Sequence, residues 1–143
     1  MTKEEITVEK ISDQEVLEKV FEIRRVVFVL EQNCPPELEW EFEDESTHFM
    51  ASVGGVPAGA ARWRKTEYGY KLERFAVLKE FRGRGVGQAL VSTVLADLPA
   101  EADYVYLNAQ LPAMGLYEKF GFEKVGEMFE EAGIQHFKMV LKR

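Results

Sequence analysis

The 143-residue chain has a formal net charge of −7, one cysteine and 30% charged residues. That length suits one domain, residues 1–143, able to bury a core without disulfides or a structural metal. The acidic balance speaks against nucleic acid as the main partner, because phosphate backbones need a basic face. No apolar run approaches the ~20 residues that cross a membrane, so no membrane partner is expected. The charged start MTKEEITVEK lacks a secretory apolar stretch. Cys34 alone gives neither an intrachain disulfide nor a zinc spacing, so the expected compartment is the cytoplasm and no metal is expected.

In chain order, residues 6–11 alternate weakly and predict a first strand. Ser12 offers an N-cap with Glu15 three residues on. Val16, Leu17, Val20, Ile23 and Val27 then form an apolar stripe. This helix is expected to end before residues 33–36, where Pro35 and Pro36 forbid its continuation. Residues 49–53 and 57–63 flank Gly54-Gly55 as a hairpin. A turn near Tyr68 and Gly69 leads into a strand at residues 70–78.

Val86, Leu90, Val91, Val94, Leu95 and Leu98 recur at helical spacing and predict a helix over residues 86–98, closed by Pro99. Residues 104–107 read as a short strand. Residues 112–120 read as a short helix stopped by Gly121. Residues 122–125 and 136–141 complete the set as strands. The order is mixed α/β (α+β), with helices covering a central sheet.

One turn carries chemistry. Arg82-Gly83-Arg84-Gly85-Val86-Gly87 lies between the strand at 70–78 and the helix at 86–98, with Lys79 close by. A helix N-terminus presents unpaired N–H groups and partial positive charge, and glycines let the backbone approach a phosphate. A P-loop would need Gly-Lys-Ser/Thr where Gly87-Gln88-Ala89 stands. The dinucleotide G-x-G-x-x-G fails on spacing, since Gly83 and Gly85 lead to Gln88. The physics says pyrophosphate without choosing its carrier, and a merely tight strand–helix turn is the plainer alternative.

Arg82-x-x-Gly85-x-Gly87 resembles the R/Q-x-x-G-x-G/A motif of the GNAT superfamily of N-acetyltransferases. Phe75-Ala76-Val77-Leu78 resembles that family's central strand, and Leu116-Tyr117-Glu118-Lys119-Phe120-Gly121-Phe122 its C-terminal segment. Phe28-Val29-Leu30-Glu31-Gln32-Asn33-Cys34-Pro35 is similar to the ElaA-like bacterial branch. The resemblance implies a GNAT-like acyl-CoA N-acyltransferase fold: a central, mostly antiparallel sheet with a splayed parallel pair and flanking helices. It implies acetyl-CoA as cosubstrate and acetyl transfer to a primary amine, on a small molecule or a peptide, by direct attack. The chain is then expected to be a monomer or homodimer. A sensing module that binds acyl-CoA without transfer is the alternative reading.

Carried over residue by residue, the resemblance assigns the pyrophosphate to the backbone amides of Gly83, Arg84, Gly85, Val86, Gly87 and Gln88. The edge formed by Phe75, Ala76 and Val77 would pair with the pantetheine amides like an added strand. Asn108, at the end of the strand at 104–107, would lie near the cosubstrate, unless it is an ordinary strand-ending turn residue. Tyr117 matches the usual general acid, although with Ala113 and Phe120 it also fits a core face. Glu73 lies where some members carry a glutamate base, although a solvent-facing strand glutamate reads the same way. Glu31 and Glu41 are alternatives for the base.

Glu37 to Glu45 holds six carboxylates interleaved with Leu38, Trp40 and Phe42. A solvated loop is the plainer reading, and a cationic acceptor site drawing on Trp40, Glu39 and Glu41 the functional one. His48 reads as structural and Cys34 as a small inert residue beside a Pro-Pro bend. His136, on a late strand, carries no special signal.

Overall fold

The computed structural model describes residues 5–34 and 45–143. Within them the chain forms β1 (Ile6–Lys10), α1 (Gln14–Arg24), β2 (Ser46–Val53), β3 (Val56–Thr66) and β4 (Gly69–Val77). Then follow α2 (Val86–Asp97), β5 (Tyr104–Gln110), α3 (Met114–Glu118), β6 (Glu123–Glu131) and β7 (Ile134–Lys142). Among the described residues the strands make one seven-stranded sheet in the order β1-β2-β3-β4-β5-β7-β6. Every pairing is antiparallel except β4 with β5. The mostly antiparallel sheet with one parallel pair and flanking helices is the architecture expected.

The helices cover opposite faces because strand side chains alternate. Val86, Leu90, Val91 and Val94 of α2 pack with Phe49, Ala51, Leu72, Leu107 and Met139. Val20 and Ile23 of α1 pack with Met50, Ala60 and Ala76 on the other side. Phe49 and Met50, neighbours in β2, point to different cores. The β2–β3 hairpin turns on Gly54 and Gly55, both at positive φ (56° and 83°), as a two-residue turn of this hand requires.

Gly59 lets α2 and β4 close on β3. A Cβ there would stand 2.8 Å from the Ala76 carbonyl oxygen and 3.1 Å from both Leu90 and Val86. The carbonyl belongs to a paired strand and cannot step aside. Gly59→Ala is therefore expected to destabilise the fold by about 1–3 kcal/mol. A thermal melt would read this as a fall in Tm of roughly 3–10 °C; an unmoved Tm would contradict this packing.

Several boundaries differ from the sequence reading. Asp13, not Ser12, caps α1, its carboxylate accepting from the Glu15 N–H at 2.8 Å. The helix ends at Glu31, before Asn33 as expected, but its last stretch, Arg25–Glu31, is π-helical rather than α-helical. β5 runs on through Asn108 to Gln110 because β7 pairs with it throughout. β6 extends to Glu131 rather than stopping at Val125. Its charges disguise it, yet an edge strand with both faces near water tolerates them.

Candidate active site

β4 and β5 pair over only three positions, Tyr70↔Val105 to Leu72↔Leu107. Beyond them β5 stays with β7, through Asn108↔Lys138 and Gln110↔His136. β4 stays with β3, through Ala60↔Ala76 and Gly59↔Val77. The pair therefore opens as a wedge, and the β5-facing edge of Phe75, Ala76 and Val77 has no strand partner among the described residues. A bulge contributes: Arg62 faces Glu73 and Ala60 faces Ala76, so one β3 residue opposes two of β4. Arg74, inside the bulge, sits at φ 58°, a conformation disfavoured for a side-chain-bearing residue. Such strain persists where surrounding structure enforces it, often beside a functional site.

A cavity of about 310 Å³ fills the wedge. Glu73, Phe75, Asn108 and Tyr117, four of the residues expected at the site, line it together. Tyr117 is buried, its ring set edge-on to Phe75 (5.7 Å) and Phe122 (6.1 Å). Burial pushes its phenol well above the ordinary tyrosine range, so the hydroxyl is a proton-bearing donor at neutral pH.

Glu73 is held very differently. Arg62 approaches Oε1 at 2.9 and 3.1 Å, Arg64 at 2.7 Å, and Lys71 lies 3.1 Å from Oε2. Burial pushes the carboxyl pKa up, but the hydrogen bond from Arg64 and the charges of Arg62, Lys71 and Arg64 outweigh it, leaving about 2. A carboxylate that acidic is ionised at neutral pH and a weak proton acceptor.

The glycine-rich turn stands at the start of α2. Gly83 and Gly85 take positive φ (77° and 89°), and Gly85 caps the helix with no side chain over its end. The first-turn N–H groups of Val86, Gly87 and Gln88 have no intrahelical acceptor to reach. A Cβ at Gly83 would meet nothing within 4 Å, which is the open face an anion needs. At Gly87 it would come within 3.2 Å of Leu116, on the helix that carries Tyr117. The turn and the phenol are thus neighbours in the fold.

Arg82 serves this turn as a brace. Its Nε donates to the Val77 carbonyl at 2.9 Å, and its two other nitrogens donate to Glu31 at 2.7 Å each. Glu31 is in turn lowered below the usual carboxylate range, chiefly by the hydrogen bond from Arg82. That pair ties the turn to the end of the π-helical stretch and removes Glu31 from consideration as a free base. Glu41, Glu39, Trp40 and the rest of the acidic run up to Asp44 lie outside the described residues. His48 is buried edge-on to Phe21 at 6.0 Å and is not on the cavity wall.

The Acetyltransferase (GNAT) domain family matches residues 7–143, nearly the whole chain. The chain belongs to the GNAT acetyltransferase family. It is 42% identical over 132 residues to the uncharacterized N-acetyltransferase YjcF of Bacillus subtilis, covering 90% of this chain and 94% of that protein. Protein ElaA of Escherichia coli is 32% identical over 133 residues, covering 84% of this chain and 83% of ElaA. The crystal structure of ElaA superposes with a TM-score of 0.78 over 96% of this chain and 98% of ElaA. A GNAT family acetyltransferase from Elizabethkingia anophelis, solved with acetyl-CoA bound, shares the fold at 14% identity, with a TM-score of 0.74 over 96% and 98% of the two chains. The ElaA resemblance and the acyl-CoA N-acyltransferase fold expected from the motifs are both borne out. Among the described residues of this acetyltransferase no helix is long and apolar enough to cross a membrane.

Sequence reading missed part of the cavity wall. His136, Gln32, Gln110 and Cys34 also line it. Gln32 and Gln110 exchange amide hydrogen bonds at 3.0 and 3.4 Å, although they are 78 residues apart. Their convergence depends on the π-helical stretch and on β5 reaching Gln110, the two features that periodicity did not predict.

Proposed function

We propose that this GNAT acetyltransferase takes acetyl-CoA and transfers the acetyl group to a primary amine of a small molecule or peptide by direct attack. The wedge between β4 and β5 carries this reading, with Tyr117 on its wall and the α2 turn beside it. The residues present fit the cosubstrate. Backbone amides from Gly83 to Gln88 would hold its pyrophosphate, and the splayed edge of Phe75, Ala76 and Val77, where the Val77 carbonyl already accepts from Arg82, would pair with its pantetheine amides. Asn108, on the opposite wall, offers an amide to the same arm. The cosubstrate supplies a thioester, whose carbonyl carbon accepts an amine.

Tyr117 then donates its proton to the departing sulfur, which would otherwise leave as a thiolate beside the buried phenol. Glu73 anchors Arg62, Arg64 and Lys71 along the wedge and fixes their geometry. With a pKa of about 2 it is poorly matched to taking a proton from an ammonium group. The test is direct: incubate the protein with acetyl-CoA and a panel of amines, polyamines and peptides, and follow free thiol. Acceptor-dependent thiol release is expected. Tight acetyl-CoA binding without such release across the panel would make the chain an acyl-CoA-binding sensor and end the transfer reading.

A further inference from the structure

Direct attack needs a neutral amine, and an alkyl ammonium of lysine type holds its proton up to a pKa of about 10. That proton goes to water or to a group on the cavity wall. Glu73, clasped by three cations, is a poor receiver, and Glu31 is committed to Arg82. The wall's other titratable proton acceptors are Cys34, Glu131, which is exposed, and His136.

His136 is buried, with 7% of its surface exposed, and lines the cavity. Its Nδ1 lies 2.7 Å from the carbonyl oxygen of Ile134. A carbonyl can only accept, so Nδ1 carries a hydrogen, and in the neutral ring Nε2 keeps its lone pair. The ring is held on a second side by Phe129, stacked at 5.7 Å and 20°. Phe129 and Gln110 are its direct cross-strand partners on β6 and β5, so all three side chains rise on one face of the sheet. The imidazole is thus fixed in tautomer and orientation by its own hairpin, as a catalytic base must be.

The same register places it relative to Tyr117. Tyr117 packs in the α2-side core with Leu107, Ala109 and Met139. Those residues alternate with Gln110 and His136 along β5 and β7, so they occupy the opposite face. The wedge between β4 and β5 is where the two faces communicate. Tyr117 and His136 thus line the one cavity from opposite faces of the sheet. Acyl transfer calls for this separation, since the amine enters and the sulfur departs on different sides of the reacting carbon.

We propose that His136 is the general base of this acetyltransferase, its Nε2 receiving the proton of the acceptor ammonium; this rests on the transfer reading above. The acceptor R–NH3+ gives a proton to Nε2, forming imidazolium, whose Nδ1–H remains on the Ile134 carbonyl. The freed amine lone pair forms the C–N bond. The C–S bond breaks with its electrons on sulfur, which takes the Tyr117 proton. The amide nitrogen sheds its surplus proton, which restores Tyr117, and His136 returns its own to water. Gln32 and Gln110, paired beside the imidazole, line the side from which the acceptor arrives.

The test compares two nucleophiles on wild type and His136→Ala. One is a basic alkylamine that turns over in the panel, the other hydroxylamine, which is already neutral at the assay pH. With the alkylamine, kcat is expected to fall roughly 10²–10³-fold, while acetyl-CoA affinity by titration stays within twofold. Added imidazole should restore part of the lost rate. With hydroxylamine the two proteins should differ little, because no ammonium has to be deprotonated. His136→Asn, polar and closer in volume, carries the same comparison if the alanine variant melts early. Equal losses with both nucleophiles would make His136 a packing residue, and an unchanged alkylamine rate would remove it from the mechanism. Wild type releasing no thiol with hydroxylamine or with any amine of the panel would instead overturn the transfer reading itself.

Discussion

Replacing Glu73 with glutamine is expected to destabilise the protein by about 3–5 kcal/mol, the range for breaking a buried ion pair from one side. The reason lies in what stays behind. Arg62 has a fully buried side chain, and Arg64 and Lys71 are only 13% and 18% exposed, so three cations would lose their shared anion. Against a typical total of about 5–15 kcal/mol, that loss is a large share. Thermal melts should show Tm falling by more than 10 °C. Replacing the pair together, as Arg62→Met with Glu73→Leu, should recover part of the loss because the fully buried Arg62 charge is removed with its anion, leaving only the partly exposed Arg64 and Lys71.

The same carboxylate makes a pH prediction whose sign follows from its shift. Its folded pKa of about 2 lies below the ordinary 4.5, so its contribution is complete above the ordinary value and is lost as pH falls towards 2. Two and a half units correspond to about 3 kcal/mol. Urea melts of wild type between pH 5 and 2 should lose about that much more stability than melts of Glu73→Gln, which has no group to protonate there. Parallel acid profiles for the two proteins would show that the cluster contributes nothing by charge.

These expectations explain which parts of the site sequence could reveal. Local rules were enough where one signal decides one element. Gly54-Gly55 demanded a tight hairpin, Gly85 and Gly87 opened α2, and the 3.6-residue recurrence from Val86 to Leu98 gave a helix that the structure ends at Asp97. The resemblance offers Glu73 as a base because some members carry a glutamate at that place on the central strand. Its three cations come from two strands whose register and bulge no linear pattern encodes. His136 escaped notice for the matching reason. Its neighbours Phe129 and Gln110 become neighbours only after β6 has grown to Glu131 and β5 to Gln110. Motif and periodicity thus outlined the donor side of the wedge, while the acceptor side arises from tertiary pairing.

Tyr117→Phe is expected to lower kcat roughly 10²–10⁴-fold, the range for losing a positioned general acid. Acetyl-CoA affinity and Tm should barely change. The phenylalanine ring preserves the edge-on contacts to Phe75 and Phe122, and only one oxygen is removed. Burial has raised this phenol above its ordinary range, which at first sight makes it a worse acid for a thiolate whose conjugate acid sits near about 8.5. The same burial raises the developing thiolate as well, because it penalises any anion that forms beside the ring. Proton transfer then exchanges the thiolate for a phenolate, which the surplus proton of the amide nitrogen neutralises, so that no buried anion is left, a gain available only as the C–S bond breaks. The defect should therefore depend on the leaving group. An acetyl donor with a more acidic thiol, such as an aryl thioester, leaves without needing the proton, so wild type and Tyr117→Phe should converge on it. A defect of equal size with both donors, or a loss of acetyl-CoA affinity that matches the loss in kcat, would assign Tyr117 to packing alone.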